Sequence, residues 1–583
     1  MARRWRGMAV AWVAAGLIGL AAPLAAKAAP APADAVLLHG VVITVDAKDS
    51  VAEALAIRAG RIVEVGSDRA VARLIGPGTR VVDLHGRTAT PGLIDTHAHL
   101  LQTGMIDLFR IDLSGADRIS AITDAVAARV AKAKPGEWIV GAGWDEGKLL
   151  EHRYPTAADL DRVAPDNPVW LENTTGHYGV GNSIALRLGH VDAATKDPPA
   201  GTIERDATGR PAGVLKERAA DAVESLIPPP SLDQRRQAIT HMIARLRAEG
   251  MTGFKDPSIS ADDWAAYRSL AAEGRLGANT CVLFTTPPTL AAAHQVLAVI
   301  GAAQSDVGRL PNDAALRVCG AKIFMDGSGA APTAWMYQDW DHDRTEVAIG
   351  NHGYPQLDPA IYRAQVKLFV DAGVGVGTHA IGDRAIDWVV DSYAEALKGH
   401  PGPAPMLSII HANTPTDHAI AVMAELQARY GSGVPESQAE FTWWLGDIYA
   451  GKLGPERSLR LDPFHTYLTR GVHWAGGSDA PVTPIAARYG LWASMARETL
   501  KGTWGRTPFG VAEAVDAHAA LRSYTAWAAP QIGAGDRTGS LQPGRSADIA
   551  VWDRNPYAVA PAAVKDMVCE MTLFRGEVVY EKR

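Results

Sequence analysis

His97 and His99 stand one residue apart in "PGLIDTHAHL" (Pro91–Leu100), at the end of an apolar run. Residues two apart in an extended chain share a face, so both imidazoles project to one side. A single buried histidine is commonly satisfied by a carbonyl, whereas two on one inward face need two partners where water is scarce. A metal ion satisfies both at once through ring nitrogens; core packing is the other reading of this motif alone. Four more hydrophobic runs meet their loops with a residue of ligand type. They are "AALRVCGAKIFMDGS" with Lys322, "GVGVGTHAIGD" with His379, "MLSIIHANT" with His411 and "GVHWAGGSDAPV" with Asp479. Singly, an Asp there caps a helix, a His bonds a carbonyl and a Lys snorkels to solvent. Their recurrence at the same kind of boundary makes coincidence a poor account and points to one site assembled from several strands.

Such a centre needs a scaffold that gathers strand ends. Between the termini, strand-like runs alternate with Ala-rich helical periods such as "RISAITDAVAARVAKA", "SLDQRRQAITHMIARLRAEG" and "AQVKLFVDAG", which predicts an α/β fold with a parallel sheet. A (β/α)8 barrel places such residues on its C-terminal rim. A doubly wound sheet would announce a Gly-rich phosphate turn, and none follows a strand here. The segment "AIRAGRIVEVG" reads as a hairpin turning at Ala59-Gly60, and "RTGSLQPGRSADIAVWDRNP" and "CEMTLFRGEVVYEKR" have the same short-strand texture at the other end. Both termini therefore build one small β domain.

The chain has 583 residues, 47% hydrophobic and 21% charged, with a formal charge of −7. That balance offers no basic surface for nucleic acid. The opening residues carry Arg3, Arg4 and Arg6, an apolar stretch from Met8 to about Ala26, and Ala26-Lys27-Ala28, an A-x-A cleavage pattern. Residues 1–28 read as a secretory signal, so the protein is expected in the periplasm or outside the cell, with no membrane attachment after cleavage; a retained anchor is the competing reading. Arg3-Arg4 fits a twin-arginine signal only loosely. Three cysteines, Cys281, Cys319 and Cys569, permit at most one bridge and exclude a disulfide framework or a Cys-x-x-Cys zinc ribbon.

Taken in order, "PGLIDTHAH", "KIFMDGS", "THAIGD", "IIHAN", "GSDAPV" and the closing "GSLQPGRSADIAVWDRNP" resemble the amidohydrolase superfamily, in its amidohydrolase-3 branch of YtcJ-like proteins and N-substituted formamide deformylases. "DATGRPAGVLKERA" and "TTGHYGVGNSIAL" resemble that branch's large insertion. The resemblance covers almost all of the chain after the signal. It implies a distorted (β/α)8 TIM barrel over residues 91–539, a small β-sandwich domain formed from both chain termini (29–90 and 540–583), and an insertion at about 138–310. It implies that His97, His99, His379, His411 and Asp479 are metal ligands, and that Lys322 stands where the binuclear subtype has a carbamylated lysine bridging two metals. An unmodified Lys322 paired with Asp326 or Asp479 beside one metal is the alternative.

The cofactor so implied is a divalent metal, zinc by preference, one or two ions, which activates water and polarises a carbonyl. Asp479 is then the general base and acid, and cleavage of a C–N bond in an amide, N-substituted formamide or cyclic amide is the natural reaction. Isomerisation or hydration at the same metals, and a silent exported binding protein, are the other readings. The partner is a small-molecule substrate, with a homodimer left open.

Substrate contacts are expected from the insertion, through Trp144, His177 and Tyr178, and from Trp335, Tyr337, Trp443 and Trp444, which would wall an aromatic-lined cleft or else pack as a lid that excludes water. His177 is the candidate polar group for a substrate carbonyl or carboxylate, with packing inside the insertion as the other reading. Asp383 is a candidate for orienting ligands, and Asp341, His342 and Asp343 read as a solvated loop. Two departures stand out. Relatives often carry an arginine shortly before the histidine of the sixth strand, and "APMLSIIHAN" has none; Gly477 replaces a histidine found in some relatives, which predicts a more open or more flexible rim.

Overall fold

A computed structural model describes residues 31–311, 315–342, 347–401, 404–502 and 510–583. The signal reading, on residues 1–28, and Asp343 lie outside the described residues. Eight parallel strands pair in chain order: Leu93–Asp95, Met251–Ile259, Asn279–Thr285, Leu316–Phe324, Gly375–Ala380, Leu407–His411, Val434–Ser437 and Ala475–Gly476. The first and eighth meet through Thr96, whose N–H and Oγ1 both donate to the Gly476 carbonyl at 3.0 Å. That seam closes the barrel, and helices such as Leu232–Ala248, Ala261–Ala272, Leu290–Val307 and Asp383–Leu397 cover its outside. Their apolar faces follow the helical period, and Ser231 and Ser260 start two of them with capping boxes to Gln234 and Asp263.

The termini build a β-sandwich of two sheets. One is four-stranded and contains Ala54–Arg58 and Arg61–Gly66, joined at Ala59-Gly60, both with positive φ as a two-residue hairpin turn requires. The other is six-stranded and mixes the chain ends: Ile549–Trp552 lies antiparallel between Thr88–Pro91 and Cys569–Phe574. Leu37, Leu55 and Ile57 of the first sheet interdigitate with Val42, Ala89, Val551 and Leu573 of the second.

A third sheet of six strands, from Ile111–Asp112 to Pro211–Glu217, sits between the first barrel strand's helix and helix Leu232–Ala248. The insertion therefore occupies residues 111–217 rather than about 138–310. Residues Met251–Ile259 and Asn279–Thr285, read above as insertion, are the second and third barrel strands. They carry none of the proposed metal ligands, so nothing marked them as barrel strands in the sequence.

Candidate metal centre

The rim residues gather as the strand-end pattern requires. His97 and His99 do not lie in a strand; they follow strand Leu93–Asp95 in the turn that enters helix Leu100–Phe109. That turn is pinned by Asp95, whose carboxylate accepts from the N–H of His97 at 2.9 Å and from the Ser478 hydroxyl at 2.6 Å. The Asp479 N–H in turn donates to the His97 carbonyl at 2.6 Å. Gly477 packs into this seam so closely that a Cβ would sit 2.8 Å from the His97 nitrogen. The expected opening of the rim at Gly477 is thus not seen: the space a side chain would need is filled by the histidine loop. Asp479 and His411 both hold positive φ, a backbone state unusual for residues with side chains and concentrated at functional sites.

Asp479 Oδ1 lies 3.2 Å from the Nε2 atoms of both His97 and His99. These three residues form a group with ligand atoms close enough to share one ion. Both ring nitrogens of His97 and Oδ1 of Asp479 are buried without a hydrogen-bond partner, a costly arrangement unless something else occupies them.

A second cluster faces the first across the rim. His379 Nε2 bonds the Gly327 carbonyl at 3.1 Å, and His411 Nδ1 bonds Gln438 Oε1 at 2.7 Å. The Gln438 amide is itself oriented, its Nε2 donating to the Glu436 carbonyl at 3.0 Å. Both outer partners can only accept, so in the neutral rings those outer nitrogens carry the protons. The inner nitrogens, His379 Nδ1 and His411 Nε2, then point bare lone pairs at each other across 3.0 Å. Two imidazole nitrogens on one cation, each about 2.0–2.1 Å from it, stand roughly 3 Å apart. The donor set thus fits a divalent metal at both clusters.

Electrostatics agree with that fit. Burial depresses His97 and His379 well below the ordinary histidine value and brings His411 to about 4, which keeps the rings in their neutral, ligating form. Burial pushes the Asp479 carboxyl up, and its close contacts with the His97 and His99 rings bring it down below the ordinary carboxylate value. Lys322, inside strand Leu316–Phe324 and 1% exposed, is brought down by burial to about 7. Asp326 is not its counter-ion. Its carboxylate accepts the backbone N–H groups of Trp335, Ile381 and Gly382 at 2.9–3.0 Å.

Above these groups lies a cavity of about 600 Å³ lined by His99, Lys322, His379, His411 and Asp479, and by Glu172, His177 and Glu217 of the inserted sheet. Of the expected substrate contacts only His177 lines it. Trp144 and Tyr178 are buried in the insertion's own core, Trp144 donating to the Leu171 carbonyl and Tyr178 to Glu146. Trp335 stacks on Trp388, Tyr337 is exposed and donates to Asp387, Trp443 packs on Tyr489 and Trp492, and Trp444 carries Lys148 over its ring. Most of the expected aromatic surfaces went to packing, where they bury most area, and the cavity wall mixes polar groups with apolar ones such as Ile323, Phe324 and Val482. Asp383 serves the N–H groups of Tyr337 and Arg384 rather than any ligand. Asp341 and His342 lie outside the cavity lining. Sequence reading missed Glu172, Glu217 and Gln438. Glu172 and Glu217 share one signal, an acid in the last residues of a short apolar strand ("VWLEN", "AGVLKE").

The profile of the Amidohydrolase family matches residues 80–580. An N-substituted formamide deformylase of Arthrobacter pascens is 29% identical over 571 residues, 94% of this chain and 98% of that one. The Bacillus subtilis protein YtcJ is 28% identical over 537 residues, 91% and 96% of the two chains. Among solved structures, a metal-dependent hydrolase from Pyrococcus horikoshii superposes with a TM-score of 0.69 at 23% identity, over 91% of this chain and 99% of that one.

Proposed function

Since this chain belongs to the amidohydrolase family, we propose that it hydrolyses a carbon–nitrogen bond other than a peptide bond, using one or two divalent ions held by His97, His99, Lys322, His379, His411 and Asp479. The observation that carries the reading is the pair of bare nitrogens of His379 and His411, opposed at 3.0 Å. A bound divalent cation supplies an acidified water and a polarised carbonyl. The chain's own groups do the rest. Asp479, fixed through its backbone and with Oδ1 3.2 Å from the Nε2 atoms of both first-loop histidines, takes the proton of the attacking water and returns it to the leaving nitrogen. Gly327 and Gln438 hold the two later histidines in their ligating tautomer. Lys322 is proposed to react with carbon dioxide: an N–C bond forms at Nζ as one C–O π bond of carbon dioxide opens, two protons leave the ammonium, and a buried cation becomes an anionic ligand with two oxygens.

The formamide deformylase relative makes N-substituted formamides the first substrate class to test. Export is proposed with this activity, supported by the disulfide between Cys281 and Cys319, a bond of oxidising compartments. Among the described residues no helix is long and apolar enough to cross a membrane. The test is elemental analysis coupled to an assay of formate and amine release, in the protein as purified, after chelation, and after zinc is restored. Activity rising with metal content is expected. A fully metal-loaded protein that leaves formamides, N-acyl amino acids, hydantoins and lactams intact would sink the reading.

A further inference from the structure

The inserted sheet grips the rim through side-chain bonds to three of its loops. Gln102, in the helix that follows His99, donates to Glu172 at 3.0 Å. Thr174 donates at 3.2 Å to the carbonyl of Val482, in the loop after Asp479. The third bond runs the other way: Thr333, in the loop after strand Leu316–Phe324, donates its hydroxyl to Glu217 Oε1 at 2.7 Å. This third bond reaches an atom that holds a metal-centre side chain.

Thr333 is tied into its own loop at both ends. Its Oγ1 accepts the Ser328 N–H at 2.9 Å, and its N–H donates to the Ser328 carbonyl at 3.0 Å. The hydroxyl proton is thereby left for Glu217. Inside the ring so formed lies Gly327, whose carbonyl bonds His379 Nε2 at 3.1 Å. A Cβ on Gly327 would stand 2.3 Å from Thr333 Oγ1 and 2.5 Å from Glu217 Oε1. Here the missing side chain serves close approach, since the two oxygens press on the backbone itself. Glu217 is firmly placed for this contact. It ends strand Pro211–Glu217 with φ at 49°, a left-handed state that persists in a residue with a side chain only where its surroundings enforce it. Its N–H donates to the His177 carbonyl at 2.8 Å, within the same inserted sheet.

We propose that Glu217 and Thr333 are positioning residues of the metal centre: together they pin Gly327 with its carbonyl on His379, so that the seating of the inserted sheet sets how tightly the ion at His379 and His411 is kept. The insertion then retains metal as well as walling the cavity. The inference rests on the metal-centre reading above and adds to it a role for residues that hold no ion themselves.

The experiment loads the protein with zinc and times the passage of zinc to a colorimetric chelator, with metal content and thermal midpoint measured for each variant. Thr333→Val keeps the side-chain volume and removes the hydroxyl. One phase of its zinc release is expected to quicken roughly three- to tenfold, the equivalent of one net hydrogen bond acting on a ligand's partner. Thr333→Ser keeps the donor and is expected to release zinc at the parent rate. Gly327→Ala drives the two oxygens off the loop and is expected to release zinc at least as fast as Thr333→Val. Thr572→Val removes a buried hydroxyl bond at the opposite end of the barrel; it is expected to melt lower and to release zinc at the parent rate. Parent-like release from Thr333→Val overturns the proposal, as does failure of Thr333→Ser to restore it. Equal quickening in Thr572→Val overturns it too, because the effect would then be one of general stability. Wild type that takes up no zinc defeats the metal-centre reading and this inference with it, whereas a zinc-loaded wild type whose release neither Thr333→Val nor Gly327→Ala alters defeats this inference alone.

Discussion

Asp479 is asked to do two things at once, to ligate through an oxygen shared by two histidines and to carry a proton. Its geometry permits both, because the backbone and the Asp95–Ser478 pair hold the loop independently of the side chain. Asp479→Asn is therefore expected to fold, to keep the His379–His411 cluster, and to lose at least about a hundredfold in kcat. An unchanged rate in a metal-bearing Asn variant would reject the proton-shuttle role. The six residues proposed as the metal centre stood out in the sequence because each terminates or interrupts an apolar run with a group that burial otherwise forbids. The substrate contacts were not. An indole that lines a cavity and one that fills a core have the same sequence appearance, and six of the seven proposed contacts went to packing or surface. What marks the cavity wall instead, Glu172 and Glu217, is the same signal as the metal residues, applied to carboxylates at strand ends.

At the scale of elements, the barrel was legible from the alternation of strand and helix, and its limits were not. The second and third strands, "MTGFKDPSI" and "NTCVLFT", offer no ligand at their ends, so they read as part of the insertion that precedes them. The third does carry Cys281, bonded to Cys319 of its parallel neighbour Leu316–Phe324. The bridge closes a segment with a sequence separation of 38 residues, which in the chain-entropy view contributes about 4 kcal/mol against the unfolded state. It also ties the strand that bears Lys322 to the strand before it. Denatured without reductant, the protein should expose one reactive thiol, that of Cys569, and three after reduction. Cys319→Ser should melt several degrees lower than the parent in the absence of reductant and match it in its presence. Three reactive thiols in the unreduced protein would show that the bridge is not formed, and would remove the support it lends to export.

At the scale of the whole molecule, the described segments that flank the barrel in sequence close over its bottom. The distant β segments announced this domain in the sequence, but not how it meets the barrel. Trp552 shows the join. It lies on the terminal strand Ile549–Trp552, is fully buried, and packs with the barrel's helices and strands in the largest apolar core rather than in the sandwich. Its indole N–H donates to Thr90 at 2.9 Å, and its ring fills the space over Gly250 that a Cβ would need, at 2.8 Å. Nearby, Asn279 donates to Asp548 at 2.9 Å and Thr572 to the Arg247 carbonyl at 2.6 Å, so polar bonds frame the same contact. Truncating a buried indole costs about 3–5 kcal/mol. Because this one joins two layers, the loss should spread to both. Trp552→Ala is expected to lower the apparent melting temperature of the whole protein in one transition, to speed metal loss on mild heating, and to leave kcat near the parent value at low temperature, since the rim lies at the other end of the strands. Trp552→Phe should recover most of the stability by restoring the ring. A separate early transition in the Ala variant, with the barrel and its metal unaffected, would show instead that the terminal sandwich is an independent appendage.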